Sequence, residues 1–142
     1  MAQTVFEKII ANAGDENNFK VDSAGLSNYH EGCEADPRMR EHAQKRGYTI
    51  SHLSRPVTPE DLQEFDYIIG MDDQNINALK RLAASAGQPT SKIYKITDFL
   101  EFHREDSVPD PYYSGDAGFE HVIDLLEDAC EGLYKKLKNK EC

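Results

Sequence analysis

One stretch limits the fold of this chain more than any other. Residues 65–71 read Phe-Asp-Tyr-Ile-Ile-Gly-Met, a nearly continuous apolar run that is typical of a strand buried on both faces of a parallel sheet. Asp72 and Asp73 follow this run and predict the cap of a helix over residues 74–86, which Gly87 ends. A buried strand that leads into an amphipathic helix favours an α/β fold.

The rest of the chain continues this alternation of strands and helices. Shorter strands are predicted over residues 19–22 and 93–96. Helices are predicted over residues 1–13, from Asp36-Pro37 to Gly47, from Thr58-Pro59 onward, and from about Ala117 to Lys138, the last with an inward stripe of Phe119, Val122, Ile123, Leu126, Cys130, Leu133 and Leu137. We therefore expect one three-layer α/β domain over residues 1–142 with a mostly parallel sheet. Such sheets bind ligands at the carboxyl ends of their strands, where Ser23 and Asp72 fall.

Composition excludes several classes of function. The net charge of −10 argues against DNA or RNA as a partner, because phosphate backbones attract basic surfaces. No run of eighteen or more apolar residues predicts a membrane span, and residues 1–13 are too mixed in polarity for a signal-peptide core, so we expect a cytoplasmic protein. Cys33, Cys130 and Cys142 are widely spaced and odd in number, so neither a disulfide framework nor a CxxC metal site is predicted. We also expect no cofactor.

The segment from Ser107 to Ser114 is the strongest candidate for chemistry. Asp110 lies between two prolines, which restrict its backbone and so aim its side chain. A positioned carboxyl group can pass a proton to a leaving oxygen, and Tyr112 and Tyr113 can flank a flat aromatic substrate. The alternative is an ordinary surface turn, because Pro, Asp and Ser are common turn residues.

Four stretches of the sequence form one recognisable set of motifs. They are Val21-Asp22-Ser23-Ala24-Gly25, Ser51-His52 followed by Arg55, the run of residues 65–71 into Asp72, and Asp110-Pro111-Tyr112-Tyr113. In this order and at this spacing they resemble the low-molecular-weight protein tyrosine phosphatases. The resemblance extends from Met1 to about Lys138.

This resemblance implies a two-step hydrolysis of a phosphate monoester, on a phosphotyrosine-containing protein or a small aryl phosphate. A cysteine thiolate attacks phosphorus, an aspartic acid protonates the departing phenol oxygen, and water releases phosphate from the phosphocysteine. By resemblance, Asp110 matches the general acid, Tyr29, Tyr112 and Tyr113 match pocket residues, and Ser23, His52 and Asp72 match polar residues that support the phosphate loop. Without the family, Ser23 would be a turn hydroxyl, His52 a partly buried histidine and Asp72 a helix cap.

The chain departs from the family at its signature, a cysteine followed after five residues by an arginine and then a serine or threonine. The residue at the arginine position is Met39 after Cys33 and Lys136 after Cys130. Met1-Ala2 are similar to the residues that directly follow this loop in the family. We therefore expect an N-terminally incomplete domain that lacks the first strand and the phosphate-binding loop and is inactive as given. Because that strand lies inside the family's sheet, we expect marginal stability and self-association through exposed sheet edges.

Two other hypotheses stay open. A noncatalytic binding module would keep the phosphatase fold without its chemistry. An arsenate reductase on the same fold would need thiols that the sequence does not supply in a suitable pattern, and the Asp110 segment with its two tyrosines favours an aromatic phosphate.

Overall fold

Helices and short strands alternate along the chain, as the sequence predicts. The computed structural model describes residues 1–25, 37–50, 55–105, 108 and 115–140. Among them are α1 (Ala2–Asn12), α2 (Pro37–Lys45), α3 (Pro59–Glu64), β1 (Ile68–Gly70), α4 (Asp73–Ala86), β2 (Ile93–Lys95) and α5 (Gly115–Lys140), with 3₁₀ helices at Glu16–Asn18 and Ile96–Phe99.

The ends of α4 follow local capping chemistry. Asp72 is the N-cap, and its carboxylate accepts a hydrogen bond of 2.7 Å from the Asn75 amide. Gly87 closes the helix in the left-handed conformation with φ of +68°, which glycine adopts without strain. The predicted cap and stop of this helix are both confirmed.

The sheet is parallel but shorter and more exposed than the sequence predicts. β1 and β2 pair in parallel with Ile68 opposite Ile93 and Gly70 opposite Lys95. The prediction that the β1 run is buried on both faces is wrong, because Ile68 and Ile69 are only half-buried. In the described part of the chain β1 has only β2 beside it, so its other edge gains no cover from a neighbouring strand.

The predicted strand over residues 19–22 is also wrong, because these residues form no regular strand. Pairing begins only at an isolated parallel bridge between Gly25 and Pro56. There the Gly25 amide donates to the Arg55 carbonyl at 2.8 Å, and the Val57 amide donates to the Gly25 carbonyl at 2.8 Å. Phe19 and Val21 still pack against the core. The alternating apolar pattern therefore correctly indicates buried side chains, but these residues lack the backbone hydrogen bonds that define a strand.

Helices cover both faces of the sheet. Successive strand residues point to opposite faces: Ile69 packs on the main core, whereas a side chain at Gly70 would meet Ile76 of α4 at 2.7 Å. The main core lies among α1, α2, α5 and the 3₁₀ helix Ile96–Phe99, and it includes all seven residues of the predicted α5 stripe. α4 packs on the strands and against α3. The three-layer α/β architecture is therefore confirmed.

No helix within the described ranges has both the length and the apolar content to span a membrane.

Candidate functional site

The carboxyl end of β1 holds the best-defined part of the candidate site. Met71 follows the strand, and its amide donates to the side-chain oxygen of Asn75 at 3.0 Å. The Val108 amide donates to the Met71 carbonyl at 2.9 Å. Both backbone groups of Met71 are therefore engaged, one by the first turn of α4 and the other by the segment that leads to Asp110. Asp72 caps the same helix, so the strand end, the helix start and Val108 form one connected unit.

Ser23 contacts α1. Its hydroxyl donates to the side-chain oxygen of Gln3 at 2.5 Å, and both residues are half-buried. Two residues later, Gly25 bridges to Pro56. Ser23 is therefore held between the first helix and the segment after residue 54.

Arg55 lies beside the bridge and joins two acidic residues. Its guanidinium contacts Asp61 at 2.9 Å and Asp22 at 3.1 Å. Burial of Asp61 disfavours its charged form, but hydrogen bonds from Arg55 and from the Thr58 amide outweigh this cost and hold the pKa of Asp61 below its ordinary value. The guanidinium thus joins the segment around Ser23 to the start of α3.

Cys130 is excluded as a nucleophile by its position. It is buried in α5 against the main core, and burial raises the pKa of its thiol to about 12. A nucleophilic cysteine needs an accessible thiolate near neutral pH. Cys33 and Cys142 lie outside the described residues. Among the described residues, no group of three or more His, Cys, Asp or Glu side chains is arranged to hold a metal ion.

Comparisons with known proteins agree on one family. The family model described as low molecular weight phosphotyrosine protein phosphatase matches residues 1–142. The chain belongs to the low molecular weight phosphotyrosine protein phosphatase family. A Synechocystis protein named as a member of this group is 46% identical over 137 residues, covering 96% of this chain and 86% of the relative. The phosphatase YfkJ of Bacillus subtilis is 35% identical over 142 residues, covering 99% of this chain and 88% of the relative.

A solved structure shows the same phosphatase fold. The crystal structure of a protein tyrosine phosphatase from Entamoeba histolytica, with Hepes in its active site, superposes with a TM-score of 0.92 at 42% identity. The match covers 99% of this chain and 89% of that chain. The α/β fold expected from the resemblance is confirmed.

The structure describes only part of the predicted phosphatase site. Asp110, Tyr29, Tyr112, Tyr113 and His52 lie outside the described residues. Ser23 and Asp72 are described, and each follows the segment that the sequence analysis assigned to a strand. Asp72 makes the helix-cap contact that the alternative interpretation predicts, and Ser23 contacts Gln3. Their roles in supporting a phosphate loop stay predictions.

The sequence analysis missed two residues that organise this region. The Asn75 amide donates to the Asp72 carboxylate, and the Asn75 side-chain oxygen accepts from the Met71 amide. The Gln3 side-chain oxygen accepts from the Ser23 hydroxyl. Asn75 carries a detectable signal, because it lies three residues after a capping aspartate, where its amide is the cap's natural partner. Gln3 carries none, because its partner is twenty residues away in sequence.

Proposed function

We propose that this phosphatase-family chain acts on phosphotyrosine-containing proteins or small aryl phosphates, with Asp110 as the general acid. Family membership supports phosphate monoester hydrolysis. The observation that carries the assignment of Asp110 is the hydrogen bond from Val108 to Met71, which ties the segment two residues before Asp110 to the carboxyl end of β1. Parallel α/β sheets bind their ligands at this end.

The proposed reaction needs two groups besides Asp110. A cysteine thiolate forms a bond to phosphorus as the bond from phosphorus to the aryl oxygen breaks, and Asp110 gives its proton to that oxygen, so a neutral phenol leaves. Water then attacks the phosphocysteine, the Asp110 carboxylate takes a proton from the water, and inorganic phosphate and the thiolate are released. An arginine and backbone amides hold the phosphate oxygens throughout.

We infer that the 142-residue polypeptide does not carry out this reaction by itself. It contains no cysteine followed after five residues by arginine. Cys130 is buried with a raised thiol pKa, so it is no substitute. Without a nucleophile, an acid at Asp110 has no reaction to assist.

Hydrolysis of p-nitrophenyl phosphate and phenyl phosphate tests both parts of the proposal. We expect no activity from the 142-residue chain. We expect activity from a loop-bearing version, defined as the same chain preceded by a strand and a cysteine-x5-arginine loop that match the family signature. In that version Asp110→Asn is expected to lower kcat on phenyl phosphate by about 100-fold or more, because general acids contribute about that much.

Three outcomes would count against these proposals. Activity in the 142-residue chain that disappears with Asp110→Ala would show that the polypeptide is complete for catalysis. A folded loop-bearing version without activity would favour the noncatalytic binding module. Full activity of its Asp110→Asn variant would remove Asp110 as the acid.

We also infer that this chain self-associates through the edge of β1 that has no neighbouring strand in the described part of the chain. The Ile68 amide donates to Lys92 next to β2, and bonds alternate along a parallel strand, so the backbone groups of Ile69 face away from β2. Ile68 and Ile69 are half-buried, which leaves apolar area beside that edge. A strand edge with apolar side chains is a template for another strand.

Sedimentation velocity across a concentration series tests this inference. We expect the apparent mass to rise with concentration, and we expect a peptide carrying the family's first strand to reduce association and raise Tm. A monomer at all concentrations with a sharp, cooperative melt would contradict it.

A further inference from the structure

A buried carboxylate on α5 holds the turn that follows the 3₁₀ helix Ile96–Phe99. Asp128 accepts hydrogen bonds from three successive backbone amides, those of Glu101 at 2.9 Å, Phe102 at 2.9 Å and His103 at 2.8 Å. The Nδ1 atom of His103 lies 2.8 Å from the same carboxylate. The Asp128 side chain is only 4% exposed.

The bonding pattern explains how a buried charge is tolerated in α5. Burial alone would favour the neutral acid, but the amides of residues 101–103 and the His103 side chain outweigh it and hold the pKa of Asp128 below its ordinary value. Three consecutive amides that converge on one carboxylate also fix the direction of the backbone through the turn. An aspartate used only for helix stability would not need partners from another segment.

A second contact holds the same stretch one helical turn further along α5. A Cβ atom built on Gly132 would lie 2.0 Å from the Phe99 carbonyl oxygen, so only glycine permits this approach. Asp128 and Gly132 are four residues apart and therefore share a helix face. Residues 99–103 are thus fixed to α5 at two points.

In the sequence, this turn comes shortly before the segment of the proposed acid. The Glu105 carboxylate contacts Nε2 of His121 on α5 at 3.2 Å. The Val108 amide then binds the Met71 carbonyl at 2.9 Å. Asp110 follows Val108 by two residues in the sequence. The described residues before Asp110 are therefore held by α5 at Glu105 and by the end of β1 at Val108.

We propose that Asp128 is a positioning residue of the phosphatase site, which fixes the turn at residues 101–103 on the segment that leads to Asp110 and thereby supports Asp110 as the acid. This inference rests on the proposed function, in which Asp110 is the general acid. Asp128 itself touches no reacting atom and acts through the backbone of the turn.

Hydrogen exchange on the 142-residue chain tests the structural step without any need for activity. Asp128→Asn keeps the shape of the side chain but replaces one acceptor oxygen by an NH₂ group. In this variant we expect the amides of residues 101–103 and 108 to exchange at least about tenfold faster than in the wild type, after normalisation to amides in the interior of α4. The reason is that the weakened turn can open by itself, without unfolding of the whole domain. Asp124→Asn is the matched control, since it makes the same change on the same helix where the partner is Arg46. Equal exchange ratios in the two variants would overturn the proposal.

The dependence of rate on the leaving group tests the functional step in the loop-bearing version. A misplaced acid matters most when the leaving oxygen is basic, so we expect Asp128→Asn to lower kcat on phenyl phosphate by about tenfold and on 2,4-dinitrophenyl phosphate by less than about twofold. A purely structural role would lower both rates equally or neither, and that result would overturn the proposal. If Asp128→Asn does not fold, His103→Ala is the substitute, because it removes only the side-chain contact with Asp128. It must also lower kcat more on phenyl phosphate than on 2,4-dinitrophenyl phosphate, by a smaller factor than Asp128→Asn.

The Asp110→Asn variant separates this inference from the proposed function. Where Asp110→Asn slows phenyl phosphate hydrolysis and Asp128→Asn does not, only the positioning role fails. Where Asp110→Asn has no effect, the assignment of the acid fails, and the positioning role fails with it.

Discussion

Arg46 joins the end of α2 to three carboxylates on α5. Its guanidinium contacts Glu120 at 2.9 Å, Asp124 at 2.8 Å and Glu127 at 2.7 Å, and its side chain is 24% exposed. The three acids are spaced by four and three residues, so they lie on one face of the helix and repel one another without a cation. Arg46 therefore both bonds to α5 and offsets a repulsion within it.

Removing this guanidinium is expected to destabilise the fold. Arg46→Ala should lower the free energy of unfolding by about 2 kcal/mol, more than a surface ion pair is worth, because several charge-assisted hydrogen bonds are lost together. The loss should shrink in 1 M salt, which screens the remaining carboxylates. Urea unfolding of Arg46→Ala beside Arg81→Ala, a change at an exposed residue of α4, measures it. Equal effects of the two substitutions would show that the contacts of Arg46 with the three carboxylates add nothing to the free energy of unfolding.

The residue scale also shows what the sequence could and could not predict. The inward stripe of α5 is confirmed because helical spacing alone places those residues on one face. Asp128 is also buried, but it lies on the opposite side of α5 from this stripe, three residues after the buried Leu125, and a buried acid there needs a partner. Nothing local identifies that partner, because residues 101–103 are about 25 positions away. The three acids Glu120, Asp124 and Glu127 on one face of α5 likewise predict a nearby cation, but the sequence does not show that it is Arg46.

At the scale of elements, the cap of α4 allows a direct test of the two roles assigned to Asp72. Asp72→Ala should cost about 1 kcal/mol in the free energy of unfolding, because the Asn75 amide loses its acceptor. Asp72→Ser should restore most of this stability, since serine is also a good cap. Urea unfolding followed by far-UV circular dichroism measures both, with the exposed Gln74→Ala as the control.

Activity of the loop-bearing version then separates capping from site support. If Asp72→Ser recovers stability but not kcat, the carboxylate has a role in the site beyond the helix. If it recovers both, the helix cap explains Asp72 fully and the resemblance-based role is lost.

Helices were easier to predict than strands for a physical reason. The start and end of α4 depend on residues within one turn, Asp72 and Gly87, whose chemistry is visible in the sequence. A strand depends on hydrogen bonds to a partner that is distant in sequence. Of the apolar run over residues 65–71, only the three residues of β1 form a strand, and residues 19–22 form none. Ser23 and Asp72 could be predicted to follow these segments, but their partners could not.

At the scale of the whole molecule, two electrostatic effects set stability against pH. The net charge of −10 at pH 7 means that mild acidification relieves repulsion among surface carboxylates. Asp61 and Asp128 act in the opposite direction, because their pKa values in the folded state lie below those in the unfolded chain. A group with a lowered folded pKa contributes stability above its unfolded pKa of about 4 and loses it as the pH falls through the folded pKa.

Stability should therefore be greatest between about pH 5 and pH 6 and fall steeply below about pH 4. Asp128→Asn separates the contribution of one buried carboxylate from the change in net charge. Its unfolding free energy should lie about 2 kcal/mol below that of the wild type at pH 7, since the hydrogen bonds to a charged acceptor are weakened. The difference should shrink as the pH falls below about 4, because the wild-type carboxyl then becomes neutral as well. Urea titrations at several pH values, with the exposed Glu60→Gln as the control for charge, measure it. A difference that stays constant from pH 7 to pH 3 would mean that the shape of the side chain, and not its charge, holds the turn.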